Sequence, residues 1–197
     1  MIKSIIFDVG GVYMEGSFVD FVNNSYKILG LDKTFKADDL VTFDTNLNKG
    51  LISHVDCFRN FFQTPISDSQ MDKILDVWMN TWRPTEEMID LVQRLQNKYV
   101  LAILSNSDSL NSAQYTKKDW YSYFQHLVLS HEIGIIKPDR EIYEITLQKI
   151  GLPADQCLFI DDQEKALLPA RELAMKTIHF QSLSQLKADL SSCAVEY

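Results

Sequence analysis

Residues 3–17 read KSIIFDVGGVYMEGS and contain the first strand pattern of the chain. A short apolar run, Ile5 to Phe7, leads to the carboxylate of Asp8, and the glycines Gly10 and Gly11 follow at once. Asp and Gly are common turn formers, so this pattern is typical of an ordinary turn after a strand. A reactive acid beside a backbone that a ligand must approach closely would have the same pattern. The stretch on its own leaves both interpretations open.

The rest of the chain repeats the strand pattern four times. Together with SIIFDV (4–9), the β-type runs are VLAILS (100–105), HLVLSH (126–131), CLFID (157–161) and KTIHF (176–180). Helical patterns with one apolar face alternate with the later runs, at 84–99, 139–151, 163–175 and 182–192. Strands that alternate with helices form βαβ units, so the sequence predicts an α/β fold with a Rossmann-like, doubly wound parallel sheet.

The segment between the first strand and the first later helix interrupts this alternation. Its apolar spacing is helical in FVDFVNNSYKILG, SHVDCFRNFFQ and SQMDKILDVWMNTW, and Trp78 and Trp82 are one helical turn apart. We expect a helical cap over residues 14–83, inserted into a core formed by 1–13 and 84–197. The aromatic run FRNFF (58–62) is expected in the interior of this cap rather than in a substrate site.

Composition limits the possible partners. The 197 residues carry a net charge of −8 without a basic run, which argues against nucleic acid as a partner. No apolar stretch is long enough to cross a bilayer or to serve as a secretory signal, so no membrane partner is expected. Cys57, Cys157 and Cys193 form no CxxC pair, so neither a disulfide framework nor a zinc site is suggested, and a cytoplasmic location is expected.

Polar residues recur where the predicted strands end. They are Asp8, Ser105, Asn106, Asp161 and Asp162, with Lys137 in the loop after the third strand. Each has an ordinary structural explanation: residues 105–108 or Asp162 could cap the following helices, and Lys137-Pro138 could be an exposed turn. Their shared position is harder to explain in this way, because ligands of open α/β sheets bind beyond the carboxyl ends of the strands.

These residue types form one chemically coherent set. Adjacent carboxylates bind Mg²⁺, which commonly takes one or two carboxylates together with phosphate oxygens and water. A serine hydroxyl, backbone N–H groups and a lysine donate to a phosphoryl group. An aspartate can also attack phosphorus and form an aspartyl phosphate. The set therefore indicates metal-assisted phosphoryl chemistry.

The ordered motifs FDVGGV, LSNS, KPDREIYE and FIDDQ resemble those of the haloacid dehalogenase superfamily over nearly the whole chain. The segment KGLISHVDCF is similar to the cap of members of the glucose-1-phosphatase type and of the phosphatase domain at the N-terminus of epoxide hydrolases. The resemblance implies a Rossmann-like core with strand order 5-4-1-2-3 and a small helical cap after the first strand. It also implies a phosphorylated small molecule as substrate and Mg²⁺ as cofactor.

The resemblance also assigns roles to individual residues. Asp8 would be the nucleophile, Ser105 and the Asn106 amide would hold the phosphoryl oxygens, and Lys137 would bridge the phosphoryl group and the nucleophile. The metal would be bound by Asp8, the Gly10 carbonyl and Asp162, with Asp161 acting through water or from behind the ligands.

Two departures from the family pattern bear on activity. Phosphatases of the family usually carry a second Asp two residues after the nucleophile as acid and base, and this chain has Gly10 there. The last motif is degenerate as well, with Ala166, Pro169 and Ala174 where relatives tend to have Asn and a Gly-containing run; Pro169 would mark the start of the helix or a kink. A general acid commonly contributes about 10²–10⁴ in rate, so these changes predict weakened catalysis.

The sequence favours a Mg²⁺-dependent phosphatase of a small metabolite, a sugar phosphate being one candidate. Alternatives are a dehalogenase, which the acidic pair Asp161–Asp162 argues against, a mutase, which would need the missing acid, and a binding protein that has lost turnover. His126, His131 and His179 are expected to be structural. His54 is also assigned a structural role, with substrate contact as the less favoured alternative because its segment could face the pocket.

Overall fold

The computed structural model describes residues 1–36 and 45–197. Five parallel strands form one sheet in the order β3-β2-β1-β4-β5, which confirms the predicted doubly wound topology and strand order. The strands, β1 to β5 in chain order, are Ser4–Phe7, Val100–Ser105, His126–Leu129, Cys157–Asp161 and Lys176–His179. The third is shorter than predicted, because the chain turns into a helix at Ser130.

Ten α-helices lie within the described residues. They are α1 Phe18–Leu29, α2 Thr45–Asn48, α3 His54–Phe62, α4 Asp68–Thr81, α5 Glu86–Leu95, α6 Ser109–Lys117, α7 Ser130–Ile133, α8 Arg140–Ile150, α9 Glu164–Glu172 and α10 Leu183–Ser192. Side-chain caps explain several of the starts: Ser53, Ser67, Thr85 and Asp108 each accept a backbone N–H of the first turn. Pro169 lies inside α9, so it does not mark the start of that helix.

Both faces of the sheet are buried. On β1, Ile5 and Phe7 pack into one apolar cluster with α5 and α10, while Ile6 packs into a second cluster with α8 and α9. A parallel strand covered on both faces needs apolar side chains in both directions. This requirement explains why the strand reads as a continuous apolar run rather than as an alternating one.

Helices α1, α3 and α4 of the segment between β1 and α5 share an apolar cluster of their own. Phe21, Phe58 and Trp78 lie at its centre, and Phe62 of the FRNFF run is buried there too. At the two ends of this segment, Glu15 and Arg83 exchange two backbone hydrogen bonds of 3.0 Å. These residues lie close to the predicted limits of the cap, 14 and 83. The division into core and cap stays a prediction, and residues 37–44 of the cap lie outside the described residues.

Of the helices in residues 1–36 and 45–197, each falls short of the length or the apolar character that crossing a bilayer would require.

Candidate active site

A cavity of about 570 Å³ opens at the carboxyl ends of the strands. Several separate segments line it, and the lining residues include Asp8, Gly10, Ser105, Asn106, Lys137 and Asp161. Parallel pairing of β2, β1 and β4 brings the residues that follow each strand to one edge. The structure therefore brings together the polar residues that the sequence placed after different strands.

Asp8 is held by the backbone on both sides. Its N–H donates to the carbonyl of Ile160 at 2.9 Å, which extends the β1–β4 ladder by one bond. The chain then reverses: Tyr13 N donates to the Asp8 carbonyl at 3.3 Å, and Met14 N donates to the Val9 carbonyl at 2.8 Å. The carboxylate is thus fixed at the floor of the cavity, with 5% of the residue exposed.

Lys137 lies between two carboxylates. Its Nζ donates to Asp8 Oδ1 at 2.7 Å and to Asp161 Oδ2 at 2.6 Å, and all three side chains are buried. Burial alone would lower the pKa of Lys137, but the two carboxylates outweigh it and raise that pKa above its usual value. Burial raises the pKa of Asp8 to about 6 although Lys137 opposes the shift, and the charge of Asp161 adds to it.

The loop that carries Lys137 is fixed by Asn106. The Asn106 side chain accepts from the Lys137 backbone N–H at 2.7 Å and donates to the Lys137 carbonyl at 3.0 Å. Because both ends of this side-chain amide are used in this way, the backbone N–H of Asn106 is the group suited to hold an anion. Ser105, at the end of β2, is 2% exposed and lines the same cavity.

Three carboxylates could hold a cation. Asp8, Asp161 and Asp162 each offer an oxygen, and these oxygens lie within 4.8 Å of one another. Asp161 is fully buried and already engaged, because its Oδ1 accepts the Gln163 N–H at 2.8 Å and its Oδ2 binds Lys137. Asp162 differs from Asp161, because its Oδ1 is buried and has no hydrogen-bond partner among the described residues.

A divalent cation would satisfy this arrangement. Burial and the charge of Asp161 raise the pKa of Asp162, although the charge of Lys137 opposes the shift. Gly11, with a φ of +82°, lies so close that a Cβ there would come within 2.4 Å of Asp162 Oδ2. An all-oxygen donor set of this kind suits Mg²⁺. Asp162 does not cap α9; the residue before that helix is Gln163.

Aromatic side chains contribute to the cavity lining. Phe18, Trp78, Trp82 and Tyr115 line it together with the polar groups already described. The rings of Trp78 and Trp82 meet edge to face at 4.8 Å. Trp82 also packs on Gly16, where a Cβ would come within 2.3 Å of the indole. The cavity thus combines a charged floor with rigid aromatic surface.

Sequence reasoning missed one group of polar residues beside the cavity. Asp108 is buried and binds His54 Nε2 at 2.6 Å, and it also accepts from the indole N–H of Trp78 at 3.2 Å. His54 itself is not among the lining side chains, which agrees with its assignment as a structural residue. The sequence predicts Asp108 only as a helix cap, which it is; nothing in the sequence links it to partners 54 and 30 residues away.

Known proteins share this fold and these segments. The profile of the haloacid dehalogenase-like hydrolases matches residues 2–173. D-ribitol-5-phosphate phosphatase of Bacteroides thetaiotaomicron is 20% identical over 207 residues, covering 97% of this chain and 98% of the relative. Bifunctional epoxide hydrolase 2 of the mouse is 31% identical over 75 residues, which are 38% of this chain and 14% of that protein.

Among solved structures, a haloacid dehalogenase-family enzyme of Bacteroides thetaiotaomicron superposes with a TM-score of 0.78 at 25% identity. The match covers 95% of this chain and 99% of that one, and that structure is a variant in complex with magnesium and inorganic phosphate. The matched range of residues spans Asp8, Ser105, Lys137 and the acidic pair Asp161–Asp162. The chain belongs to the haloacid dehalogenase-like hydrolases.

Proposed function

We propose that the protein is a Mg²⁺-dependent phosphatase that hydrolyses a small phosphorylated metabolite through an aspartyl-phosphate intermediate. The observation that carries the proposal is the contact of Asp8 and Asp161 with Lys137 beside Asp162, whose buried oxygen has no protein partner among the described residues. The magnesium and phosphate complex of the structural relative, and the name of the ribitol-phosphate phosphatase, support the choice of phosphate esters.

In the first step, a carboxylate oxygen of Asp8 forms a bond to phosphorus while the bond from phosphorus to the ester oxygen breaks. Lys137 holds Asp8 Oδ1 and keeps the carboxylate oriented. Ser105 and the Asn106 backbone N–H donate to the phosphoryl oxygens, and the positive charge of Lys137 offsets the negative charge of those oxygens. In the second step, water attacks the aspartyl phosphate, which releases inorganic phosphate and restores Asp8.

Mg²⁺ would be held by Asp8, Asp162 and the Gly10 carbonyl, with Asp161 behind them. Bound there, it would neutralise charge on the phosphoryl oxygens. Asp161 has both oxygens engaged by Lys137 and by the Gln163 N–H, so its role is to fix the lysine rather than to bind the cation directly.

Among the residues that the structure describes, none is suited to give a proton to the leaving oxygen. Gly10 stands where phosphatases of the family usually have an acid, and the acids and the phenol of the described lining are unsuitable. Asp108 already accepts from His54 and Trp78 and is held ionised, while burial raises the pKa of Tyr115. Esters whose oxygen leaves readily as an anion should therefore react best, namely acyl, aryl and anomeric sugar phosphates. The aromatic lining supports a leaving group with a flat ring.

The missing acid also favours a second candidate, a binding protein that keeps the pocket without turnover. Phosphate release from an aryl phosphate separates the two. We expect release with Mg²⁺ and none with EDTA, and none from the matched Asp8→Asn variant, which excludes a contaminating phosphatase. Binding of phosphate by the wild type without any turnover would instead support the binding protein. Release that persists in EDTA or in Asp8→Asn would contradict the phosphatase mechanism.

A further inference from the structure

Asp108 collects more hydrogen bonds than any other carboxylate described above. Its Oδ1 accepts the backbone N–H groups of Leu110 and Asn111 at 3.1 and 3.0 Å, and meets His54 Nε2 at 2.6 Å. Its Oδ2 accepts from Trp78 Nε1 at 3.2 Å and from Asn111 Nδ2 at 2.9 Å. An ionised carboxylate only accepts, so His54 Nε2 must carry a hydrogen here.

The donors come from two parts of the molecule. Leu110 and Asn111 belong to the first turn of α6, which follows the short loop that leaves β2 at Ser105. His54 begins α3 and Trp78 lies in α4, and both helices belong to the segment inserted after β1. One buried carboxylate therefore joins the inserted helices to the end of the loop 105–108.

A second set of contacts joins the same loop to the same insertion. Ser107 N donates to Ser130 Oγ at 2.9 Å, and that hydroxyl donates to the carbonyl of Asn48 at 2.6 Å. Gly50, with a φ of +69°, lies against the carbonyl of His131, where a Cβ would come within 2.5 Å. The His131 ring in turn binds Ser107 Oγ at 3.0 Å. The insertion thus contacts the loop directly at Asp108, and it reaches Ser107 indirectly through Ser130 and His131 of α7.

We propose that Asp108 is a positioning residue that transmits the packing of the inserted helices to the loop 105–108, so that His54 sets phosphate affinity without touching phosphate. The inference rests on the proposed function, because it assigns phosphate binding to Ser105 and Asn106. Ser105 and Asn106 lie two to three residues before Asp108 in the chain, so the position of Asp108 limits where their donors can lie. A displacement of donors by a fraction of an ångström weakens each hydrogen bond to the anion.

The test compares variants that differ only in this contact. His54→Leu removes the donor, whereas His54→Gln keeps an N–H of similar reach, and Asp108→Asn replaces an acceptor oxygen by a donor. Ile74→Val is the matched control: Ile74 lies on α4 one turn before Trp78, is fully buried, and perturbs the same apolar cluster without a polar contact. Binding of inorganic phosphate at saturating Mg²⁺ is measured by calorimetry, beside KM and kcat for an aryl phosphate.

We expect the phosphate Kd to rise about tenfold or more in His54→Leu and Asp108→Asn, in the range usual for groups that orient a ligand-binding residue. His54→Gln should restore it to within about threefold of the wild type, and Ile74→Val should leave it unchanged despite a lower Tm. A purely structural role would lower Tm in all of these variants and leave Kd unchanged. That outcome, or an equal rise in Ile74→Val, would overturn the proposal.

Hydrogen exchange separates this proposal from the phosphatase assignment. In His54→Leu the amides of Leu110 and Asn111, which donate to Asp108, should exchange faster than in the wild type, and in Ile74→Val they should not. Unchanged exchange in His54→Leu would disprove the coupling even if the enzyme is a phosphatase. If the wild type fails to bind phosphate with Mg²⁺, the proposed function and the effect on affinity both fail. Faster exchange in His54→Leu would still show that His54 and the first turn of α6 are coupled through Asp108.

Discussion

Asp8 and Asp108 are both buried carboxylates beside one cavity, yet their surroundings differ. Asp8 faces Lys137 and lies near two further acids, and burial raises its pKa to about 6. Burial acts on Asp108 too, but the hydrogen bonds from His54 and from the Asn111 backbone outweigh it and lower its pKa. The difference shows how environment divides roles: the carboxylate with too few donors is suited to chemistry, and the saturated one to holding structure.

The strongest test of this comparison is Asp8→Asn. The amide is nearly isosteric but a poor nucleophile, so turnover should fall by about 10⁴-fold or more, as for other lost nucleophiles. Steady-state phosphate release measures it, with circular dichroism to show that the fold is intact. Turnover within about tenfold of the wild type would remove Asp8 from the role of nucleophile.

Asp162→Ala tests the acidic side of the same site. A cation that supplies several kcal/mol would lose a direct ligand, so we expect a rate loss of about 10²–10³-fold and a higher Mg²⁺ concentration for half-maximal rate. Mg²⁺ titrations of the rate of both proteins provide the measurement. An unchanged Mg²⁺ dependence would show that the cation is bound elsewhere.

Protein stability should respond in opposite directions at the two carboxylates. Because the pKa of Asp8 is raised, the folded metal-free protein binds its proton more tightly, and stability falls as pH rises from 3.8 to about 6. At pH 7 in EDTA, Asp8→Asn should therefore raise the free energy of unfolding by up to about 3 kcal/mol, with little effect below about pH 4.

Asp108→Asn should instead lower the free energy of unfolding by about 3 kcal/mol at pH 7, since it leaves buried donors without an acceptor. With a lowered pKa, the contribution of Asp108 is complete above about pH 4 and is lost as pH falls through its folded value. Urea denaturation at several pH values measures both variants. Changes of the same sign at pH 7 would contradict the contrast between the two sites.

The smallest expected effect concerns Gly10. A Cβ there would meet none of the described atoms within 4 Å, and no positive φ restricts the position, so Gly10→Asp should be tolerated. The new acid should accelerate hydrolysis of esters with poor leaving groups by about tenfold, which is part of the usual effect of a general acid. Hydrolysis of esters with good leaving groups should change little, because they need no proton. The neighbouring Gly11→Asp is the control: its Cβ would collide with Asp162, so it should abolish Mg²⁺-dependent activity.

A plot of log rate against leaving-group pKa gives the measurement. The wild type should show a steep negative slope and Gly10→Asp a shallower one. A flat plot for the wild type, with chemistry rate-limiting, would mean that another group already supplies the proton.

The sheet and the meeting of Asp8 with Lys137 could be predicted from the sequence. Continuous apolar runs require burial on both faces, and parallel strands deliver the residues after their ends to one edge, so Asp8 and Lys137 meet although they are 129 residues apart. The motif resemblance supplied the strand order and the residue roles. The bounds of the third strand were less predictable, because the apolar pattern of 126–131 does not show where the chain turns into α7.

How α3 and α4 pack against α6 can be read only from the folded protein. Asp108 could be recognised locally as a helix cap, but its contact with His54 depends on how α3 packs, and packing between distant helices leaves no periodic signal in a single sequence. The same holds for Asp162, whose buried Oδ1 has no hydrogen-bond partner among the described residues. Local patterns are set by neighbours along the chain, whereas the burial and charge of a carboxylate are set by neighbours in space.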